Sequence, residues 1–418
     1  AATAEAALKG ADIVLTVRRP SAALLNGVAK GALVIGGMDP YGNEGDILAL
    51  AKAGVTTVAM EFMPRITRAQ VMDILSSQAN LAGYQAVIEA AALFNRAIPM
   101  MMTAAGTVRP AKAFVMGAGV AGLQAIATAK RLGAVVSAND VRPAAKEQVE
   151  SLGGKFIAVE DEEFKQAETA AGYAKPMSAE YQAKQAELTA QHIAKQDIVV
   201  TTALIPGRPA PRLVTKAMIE SMAPGSVIID MASERGGNVE LSQPNKVVVH
   251  NGVTILGLVN GQGRIPTSAS QLYARNLLAF LDTLIDKKAK ALAVNWDDEL
   301  VKATVLTKDG AIVHPNIKVD AAPAAKAPAA KAAPAAKAAP AAKAAPAAKP
   351  AAKKAPAAKA EAAAPAEAKP APAKKAAAPK AAAKPADAAA AAPAKKPAAK
   401  KAPAKAAAKS ETPKTGGK

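Results

Sequence analysis

The sequence contains no cysteine and only 3 histidines among its 418 residues. Disulfide bonds and thiolate metal sites are therefore excluded. The histidines His192, His250 and His314 are scattered without metal-site spacing, so we expect structural or solvent-facing roles for them and no metal centre. No uninterrupted apolar segment reaches the roughly 18 residues needed to cross a bilayer, and we expect the folded part to be soluble.

Positive charge is abundant in only one part of the chain. The net charge is +19, but residues 321–418 carry 21 lysines and 4 acidic side chains, a net charge of +17. The preceding 320 residues have a net charge of only +2. The overall charge alone would indicate a nucleic-acid or membrane binder. The folded part does not fit that class because it is nearly neutral.

From residue 321 onward the lysine-rich tail repeats segments such as Ala-Ala-Pro-Ala-Ala-Lys and has no aromatic or β-branched residue before Thr412. It has little to bury, and its prolines interrupt helices, so we predict that residues 319–418 are disordered. Two interpretations stay open. The composition is similar to linker-histone tails, which neutralise phosphates, but we favour a solvated, self-repelling spacer because the chain contains no DNA-reading module.

Short β-rich runs alternate with alanine-rich helical stretches through the first 315 residues. This pattern predicts an α/β fold with two Rossmann-like, doubly wound parallel-sheet domains joined by long helices over residues 76–95 and 267–290. The first domain is expected over residues 1–80 with 265–318, and the second over 81–264. Residues 161–196 form a polar insertion that we expect to be partly mobile.

A glycine-rich turn follows the apolar run Ala-Phe-Val-Met. It contains Gly117, Gly119 and Gly122, the G-x-G-x-x-G spacing, and leads into a predicted helix over residues 120–132. In dinucleotide sites these glycines allow a tight turn, backbone approach to a pyrophosphate and close packing of helix on sheet. Phosphate then binds at the helix N-terminus. The turn predicts NAD(H) binding.

Asp140 closes the next apolar run, 21 residues after Gly119. A carboxylate at that distance accepts hydrogen bonds from the adenosine ribose hydroxyls and repels a 2′-phosphate. The expected cofactor is therefore NAD rather than NADP.

A polar segment precedes the first long helix. Arg65, Gln70, Asp73 and Ser76 supply donors and acceptors suited to an amide and a ribose. Each has a simpler alternative: Asp73 caps the helix, Arg65 is a surface charge, and the nearby Tyr84 belongs to the core.

At this segment the chain resembles the NAD(H)-binding component of proton-translocating nicotinamide nucleotide transhydrogenase. The run R-I-T-R-A-Q-x-M-D-x-L-S-S-Q-x-N-x-A-G-Y, together with G-A-G-V-A-G, N-D-V-R-P, G-Y-A-K-x-M, T-T-A-L-I-P-G-R-P-A-P and I-D-M-A-S-E-R-G-G-N, looks like the motifs of that family. These motifs cover residues from about 10 to 315. The family's usual first strand and basic N-terminal motif are absent, so we expect an incomplete first sheet and a missing N-terminal piece.

The resemblance implies a role for each matching residue. Gln70, Arg65 and Asp73 would position the reacting groups without acid or base chemistry, and Gln70 would reach toward a second nucleotide. The other implied NAD(H) contacts are Ser76 and Tyr84 near the nicotinamide, Val120, Asp140 and Arg142 near the pyrophosphate and ribose, Gly172, Tyr173 and Gln185 in and behind a mobile loop, and Leu204 after a strand.

The resemblance also implies a reaction and partners. The reaction is direct hydride transfer from NADH to NADP+, coupled to proton movement. The partners are an NADP(H)-binding subunit and a membrane-embedded proton-channel subunit, and the chain itself is expected to form a homodimer. We expect a cytoplasmic protein held at the inner membrane through these partners.

Two other functions are less consistent with the sequence. Alanine dehydrogenase shares the two-domain architecture, but its reaction needs a positioned acid or base, usually His or Lys. No histidine precedes His192, and the first strand ends in Arg18-Arg19-Pro20 where the dehydrogenase pattern carries lysine. Nucleic-acid binding through the tail would require steep salt dependence and is the less favoured interpretation.

Overall fold

The structure is a computed structural model that describes residues 1–167 and 177–318. Its strands are β1 (Ile13–Thr16), β2 (Leu33–Gly36), β3 (Thr56–Ala59), β4 (Met101–Thr103), β5 (Gly106–Val108), β6 (Lys112–Met116), β7 (Val135–Asn139), β8 (Lys155–Phe156), β9 (Ile198–Thr201), β10 (Val227–Asp230), β11 (Val247–His250), β12 (Val253–Gly257), β13 (Ile285–Asp286), β14 (Ala291–Leu292), β15 (Val305–Lys308) and β16 (Ala311–Ile312).

The helices of the described residues are α1 (Ala4–Leu8), α2 (Glu44–Lys52), α3 (Ile74–Leu93), α4 (Val120–Arg131), α5 (Ala145–Ser151), α6 (Glu162–Lys165), α7 (Ala179–Ile193), α8 (Lys216–Glu220), α9 (Pro266–Leu281) and α10 (Glu299–Thr304). Short 3-10 helices include Thr67–Met72, Ser233–Arg235 and Gly261–Arg264. None of the described helices is both long and apolar enough to span a bilayer.

The first sheet has the strand order β1-β2-β3-β15-β16. Strands β1, β2 and β3 are parallel, with Leu33 beside both Ile13 and Thr56. Strand β15 joins β3 in the antiparallel direction, with Thr307 beside Thr57, and β16 is antiparallel to β15. The parallel-sheet prediction did not foresee these two antiparallel strands, which the chain adds when it returns to the first sheet after completing the second.

The second sheet has the order β11-β12-β10-β9-β6-β7-β8. All neighbours are parallel except β11, which pairs antiparallel with β12 at the edge. An antiparallel edge strand is common on an otherwise parallel sheet. The predicted Rossmann-like organisation of the described residues is confirmed.

Both sheets are covered on two faces, as is usual for largely parallel sheets. In the first sheet, β2 and β3 are buried throughout, with α9 and α10 packed on one face and α2 on the other. In the second sheet, α3, α4 and α5 cover one face and α7 and α8 the other. We propose the domain division 1–80 with 265–318 and 81–264, which this layering supports.

The joining helices differ in length from the prediction. Helix α3 begins at Ile74 and ends at Leu93, close to the predicted range of 76–95. Helix α9 ends at Leu281, although the prediction extended it to 290. That extension is wrong because Ile285 and Asp286 pair antiparallel with Leu292 and Ala291. The predicted tail, residues 319–418, lies outside the described residues.

Candidate functional site

The glycine turn connects β6 to α4. Gly117 has φ +100°, a conformation that L side chains rarely adopt, and a Cβ on Gly122 would lie 1.8 Å from the Gly117 carbonyl oxygen. Gly119 precedes α4, and no side chain caps the helix there. The turn therefore brings backbone close to a helix N-terminus whose N–H groups suit a phosphate.

Asp140 lies against this turn, where its side chain is only 7% exposed. One carboxylate oxygen accepts a hydrogen bond from the backbone N–H of Ala118 at 2.7 Å. The other accepts from the backbone N–H and the Nε of Arg142, both at 2.9 Å. The Nη2 of Arg142 also donates to the first oxygen at 3.0 Å. The carboxylate thus ties the end of β7 to the glycine turn, and the predicted ribose hydroxyls would have to replace some of these hydrogen bonds, because all four of its acceptor positions are in use.

The polar segment before α3 folds as a 3-10 helix, Thr67–Met72, followed directly by α3. Gln70 is exposed on the 3-10 helix, and Arg65 is exposed just before it. Asp73 caps α3 by accepting hydrogen bonds from the backbone N–H of Ser76 at 2.9 Å and from its hydroxyl at 2.5 Å. The capping alternative for Asp73 is therefore confirmed, and any contact of Asp73 or Ser76 with a nucleotide stays a prediction.

Contacts of two side chains that the sequence did not single out, Arg68 and Asn276, tie this segment to distant parts of the chain. Arg68 forms ion pairs with Asp298 at 2.7 Å and Glu299 at 3.0 Å, at the start of α10. Hydrogen bonding to Arg68 lowers the pKa of Asp298. Asn276 on α9 donates a hydrogen bond to the carbonyl oxygen of Val71 at 2.7 Å.

The remaining predicted contacts are spread over the second sheet and its helices. Tyr84 is 39% exposed on α3, so the alternative that it belongs to the core is wrong. Gln185 on α7 accepts a hydrogen bond from the backbone N–H of Val159 at 2.9 Å. Val120 is exposed at the first position of α4. Gly172 and Tyr173 lie outside the described residues.

A cleft of about 700 Å³ lies between the two sheets. Residues just beyond the carboxyl ends of β1, β2, β9, β10 and β12 line it, which is where ligands bind in open α/β sheets. Leu204 is the predicted site residue that lines it directly, and Ala121 adjoins Val120 there. The hydroxyl of Thr202, another lining residue, donates to the Gly117 carbonyl at 3.0 Å and so connects the cleft to the glycine turn.

The sequence interpretation missed several polar residues of the cleft. Glu61 accepts hydrogen bonds from the backbone N–H groups of Met38 and Asp39, both at 2.6 Å, and burial raises the pKa of its carboxyl. Arg235 forms an ion pair with Asp39. The sequence did contain an indication of these residues. Glu61 and Arg235 follow β-rich runs closely, and ligand-binding side chains are common beyond the carboxyl ends of parallel strands.

Two fully buried side chains hold the loops of the second sheet that border the cleft. The Asp230 carboxylate accepts hydrogen bonds from the backbone N–H groups of Ala232 and Val239, at 2.9 and 3.1 Å. The Asn238 amide donates to the carbonyls of Ala203 and Pro211 at 2.9 and 2.8 Å. These bonds fasten together the loops that follow β9 and β10.

The histidines have structural contacts. His192 hydrogen-bonds to Ser137 at 2.8 Å, and burial lowers its pKa. His314 stacks on Phe62, and His250 pairs with Glu220 at 2.8 Å. Within residues 1–167 and 177–318, no group of three or more His, Cys, Asp or Glu side chains is arranged to hold a metal.

Family models match most of the described chain. The model described as "Alanine dehydrogenase/PNT, N-terminal domain" matches residues 1–82, and "Alanine dehydrogenase/PNT, C-terminal domain" matches residues 86–315. The chain belongs to the alanine dehydrogenase/PNT family. Relatives named as transhydrogenases and relatives named as alanine dehydrogenases are both similar to it.

Among curated relatives, a protein of Rhodospirillum rubrum named as the first part of NAD(P) transhydrogenase subunit alpha is 57% identical over 320 residues, covering 75% of this chain and 83% of its own. The protein of the same name from Rickettsia prowazekii is 51% identical, covering 73% and 80%. The alanine dehydrogenase of Halomonas elongata is 26% identical, covering 73% and 77%. These transhydrogenase sequences are thus markedly more similar to this chain than that dehydrogenase is.

Solved structures of the family give the same order. The transhydrogenase from Sinorhizobium meliloti has a TM-score of 0.67 and 65% identity, covering 74% of this chain and 83% of its own. An L-alanine dehydrogenase has a TM-score of 0.62 but 23% identity, covering 76% and 82%, and so supports the fold alone.

Proposed function

We propose that this chain is the NAD(H)-binding subunit of a proton-translocating NAD(P) transhydrogenase. It would bring NADH to NADP+ held on a partner subunit, for direct hydride transfer coupled to proton movement. The observation that carries the proposal is the glycine turn beside the cleft, in a chain 57% identical to a segment of a transhydrogenase alpha subunit.

The residues of the turn fit a dinucleotide. Gly122 leaves no room for a side chain next to the Gly117 carbonyl, and α4 begins without a side-chain cap. A pyrophosphate would lie against this bare backbone. Asp140 would accept from the adenosine ribose, and its charge would disfavour a 2′-phosphate.

The nicotinamide ring carries the hydride, so the protein's task is to place and shield it. We infer that the exposed segment before α3 performs this task. Its position is fixed by the hydrogen bonds of the Arg68 side chain and by the hydrogen bond from Asn276. The proposed contacts near the nicotinamide are Arg65, Gln70, Asp73, Ser76 and Tyr84. Those near the rest of NAD(H) are Gly117, Gly119, Val120, Gly122, Asp140, Arg142, Gly172, Tyr173, Gln185 and Leu204.

An alanine dehydrogenase reaction is the alternative, and the cleft argues against it. Interconversion of an amino acid and a keto acid needs a group that transfers protons, usually His or Lys. Among the described residues that line the cleft, neither type occurs, and Arg18 and Arg19 follow β1. Arg19 is already committed to the Asp39 carbonyl at 2.9 Å and to Asp46 at 2.9 Å.

Self-association is part of the proposal. Every residue of strands β4 and β5 is exposed, and their apolar side chains include Met102, which is 78% exposed. A hairpin that presents methionines to solvent is typical of a surface that another chain covers. We propose a homodimer, and partner subunits that supply the proton channel and hold the chain at the cytoplasmic face of the inner membrane.

The deciding assay measures hydride exchange between NADH and an NADP+ analogue, with and without the NADP(H)-binding partner. Transfer that requires both proteins supports the proposal. Oxidation of alanine with NAD+ by this chain alone would support the dehydrogenase alternative. Tail-dependent DNA binding that weakens steeply with salt, without any transfer, would support the nucleic-acid interpretation.

A further inference from the structure

Asn276 is a buried amide on α9 with both ends of its side chain occupied, and the residue is 7% exposed. Its Nδ2 donates a hydrogen bond to the Val71 carbonyl oxygen at 2.7 Å. Its Oδ1 accepts one from the Ser77 hydroxyl at 2.7 Å. The two contacts lie on either side of Asp73, at the corner where the 3-10 helix Thr67–Met72 meets α3.

Apolar packing on the buried side of the turn also fixes this corner. Ala69 and Met72 are buried in one cluster with Tyr273 and Leu277 of α9, while Gln70 and Val71 face solvent. The buried side of the turn is therefore anchored to α9, and the exposed side presents Gln70. Asn276 is the polar part of that anchor.

We propose that Asn276 is a positioning residue for the turn that carries Gln70. It touches no nucleotide itself. Its amide sets the place of the Val71 carbonyl and of the first turn of α3, and through them the place of the Gln70 side chain. This inference rests on the proposed function, in which Gln70 aligns the reacting groups.

The chemistry of the amide makes the proposal testable. In Asn276→Asp the side chain keeps an oxygen for Ser77 but has no N–H for Val71, so two oxygens face each other across the former hydrogen bond. The turn must shift to separate them. Because a misplacement of about 1 Å can cost on the order of 100-fold in rate, we expect hydride transfer to slow at least about tenfold, with the Kd for NADH within about twofold of wild type.

A matched control removes buried hydrogen bonds elsewhere in the same half of the protein. The Thr307 hydroxyl accepts from the backbone N–H of Thr57 at 3.0 Å and donates to the Val55 carbonyl at 3.0 Å, near the amino end of β3. Thr307→Val should destabilise the fold without moving the turn. A milder variant, Ser77→Ala, keeps the Asn276 bond to Val71 and serves if Asn276→Asp does not fold.

Three readouts on the full chain decide the proposal. They are single-turnover hydride transfer with the NADP(H)-binding partner, NADH affinity, and amide hydrogen exchange over residues 66–78 without the partner. The proposal is supported if Asn276→Asp shows faster amide exchange over residues 66–78 and slower hydride transfer, or if Ser77→Ala shows smaller changes of the same kind. Thr307→Val should show neither the faster exchange nor the slower transfer. Combining Asn276→Asp with Gln70→Asn should then slow transfer no more than about twofold beyond the slower single variant.

The positioning role would be overturned if Asn276→Asp and Ser77→Ala exchanged amide hydrogens over residues 66–78 at the wild-type rate. It would also be overturned if the rate losses of Asn276→Asp and Gln70→Asn multiplied fully in the double variant. If wild type itself shows no transfer with the partner, the proposed function fails. The exchange comparison among the three variants still decides whether Asn276 holds the turn.

Discussion

Asp39 and Arg235 form an ion pair that joins the loop after β2 to the loop after β10. It therefore crosses the cleft from one sheet to the other. Asp39 has φ +44°, an uncommon conformation for a residue other than glycine, and Asn43 donates to its carbonyl at 2.9 Å. Residues held in such conformations are concentrated at functional sites, which agrees with the position of this pair.

The first prediction concerns the energy of this pair. Both side chains are about half exposed, and exposed pairs contribute at most about 1 kcal/mol. Asp39→Asn should therefore lower the free energy of unfolding by no more than about 1 kcal/mol, measured by urea denaturation. A double-mutant cycle with Arg235→Gln isolates the pair, and a coupling above about 2 kcal/mol would contradict the prediction.

The second prediction concerns nucleotide choice. NADH should bind more tightly than NADPH, because a 2′-phosphate would meet the Asp140 carboxylate. Asp140→Asn keeps an oxygen for the Ala118 N–H but removes the charge, so the preference should narrow. Calorimetry with both nucleotides tests this, and equal affinities in the wild-type protein would remove the argument.

The third prediction concerns Gln70, which is exposed on the turn before α3. Gln70→Asn retracts the amide by one methylene, so hydride transfer with the partner should fall at least about tenfold while NADH affinity changes little. Stopped-flow transfer and equilibrium binding give the two quantities. A defect explained entirely by weaker NADH binding would make Gln70 an ordinary anchor.

The fourth prediction concerns the contact between α3 and α4. A Cβ on Gly83 would lie 2.0 Å from the Ala121 carbonyl oxygen, a backbone atom in the first turn of α4. Gly83→Ala gains about 1 kcal/mol of helix propensity, but the clash must separate the helices. We expect a net loss of about 1–3 kcal/mol in unfolding free energy and weaker NADH binding.

Gly45→Ala in α2 is the matched control for Gly83→Ala, because a Cβ there has no atom within 4 Å. It should leave stability unchanged or slightly raised, and NADH affinity unaltered. If both variants behave alike in thermal unfolding and in calorimetry, the close approach of α3 and α4 has no energetic importance.

The fifth prediction concerns residues 321–418. Their composition predicts that they contribute nothing to nucleotide binding. Truncation after Val319 should leave the Kd for NADH unchanged, as measured by fluorescence titration of the two proteins. A large loss of affinity on truncation would show that the lysine-rich segment contributes to the site.

The local parts of the site were predictable from the sequence. Gly117, Gly122 and Asp140 follow apolar runs at fixed spacings, and the backbone geometry of a strand, turn and helix requires those residue types within about 25 positions. The predicted helix over residues 120–132 is therefore close to α4, Val120–Arg131. Strand β15 was not foreseen, because its short run carries no sign of which sheet it joins.

The distant contacts were not predictable. Arg68 meets Asp298 across 230 residues, and Asn276 meets Val71 across 205. Periodicity indicates which face of α9 is buried, but it does not indicate which carbonyl will lie opposite one amide on that face. The side chains that hold the turn therefore became visible only in the folded chain.

The pairing of β15 with β3 constrains the order in which the two sheets can fold during synthesis. Thr57 and Thr307 share hydrogen bonds although 250 positions separate them, and every strand of the second sheet lies between them in the sequence. On the ribosome, β6 to β12 are therefore complete before the first sheet can receive its fourth strand. The second sheet can fold early, whereas β3 keeps an unpaired edge until β15, which ends at Lys308, has been synthesised.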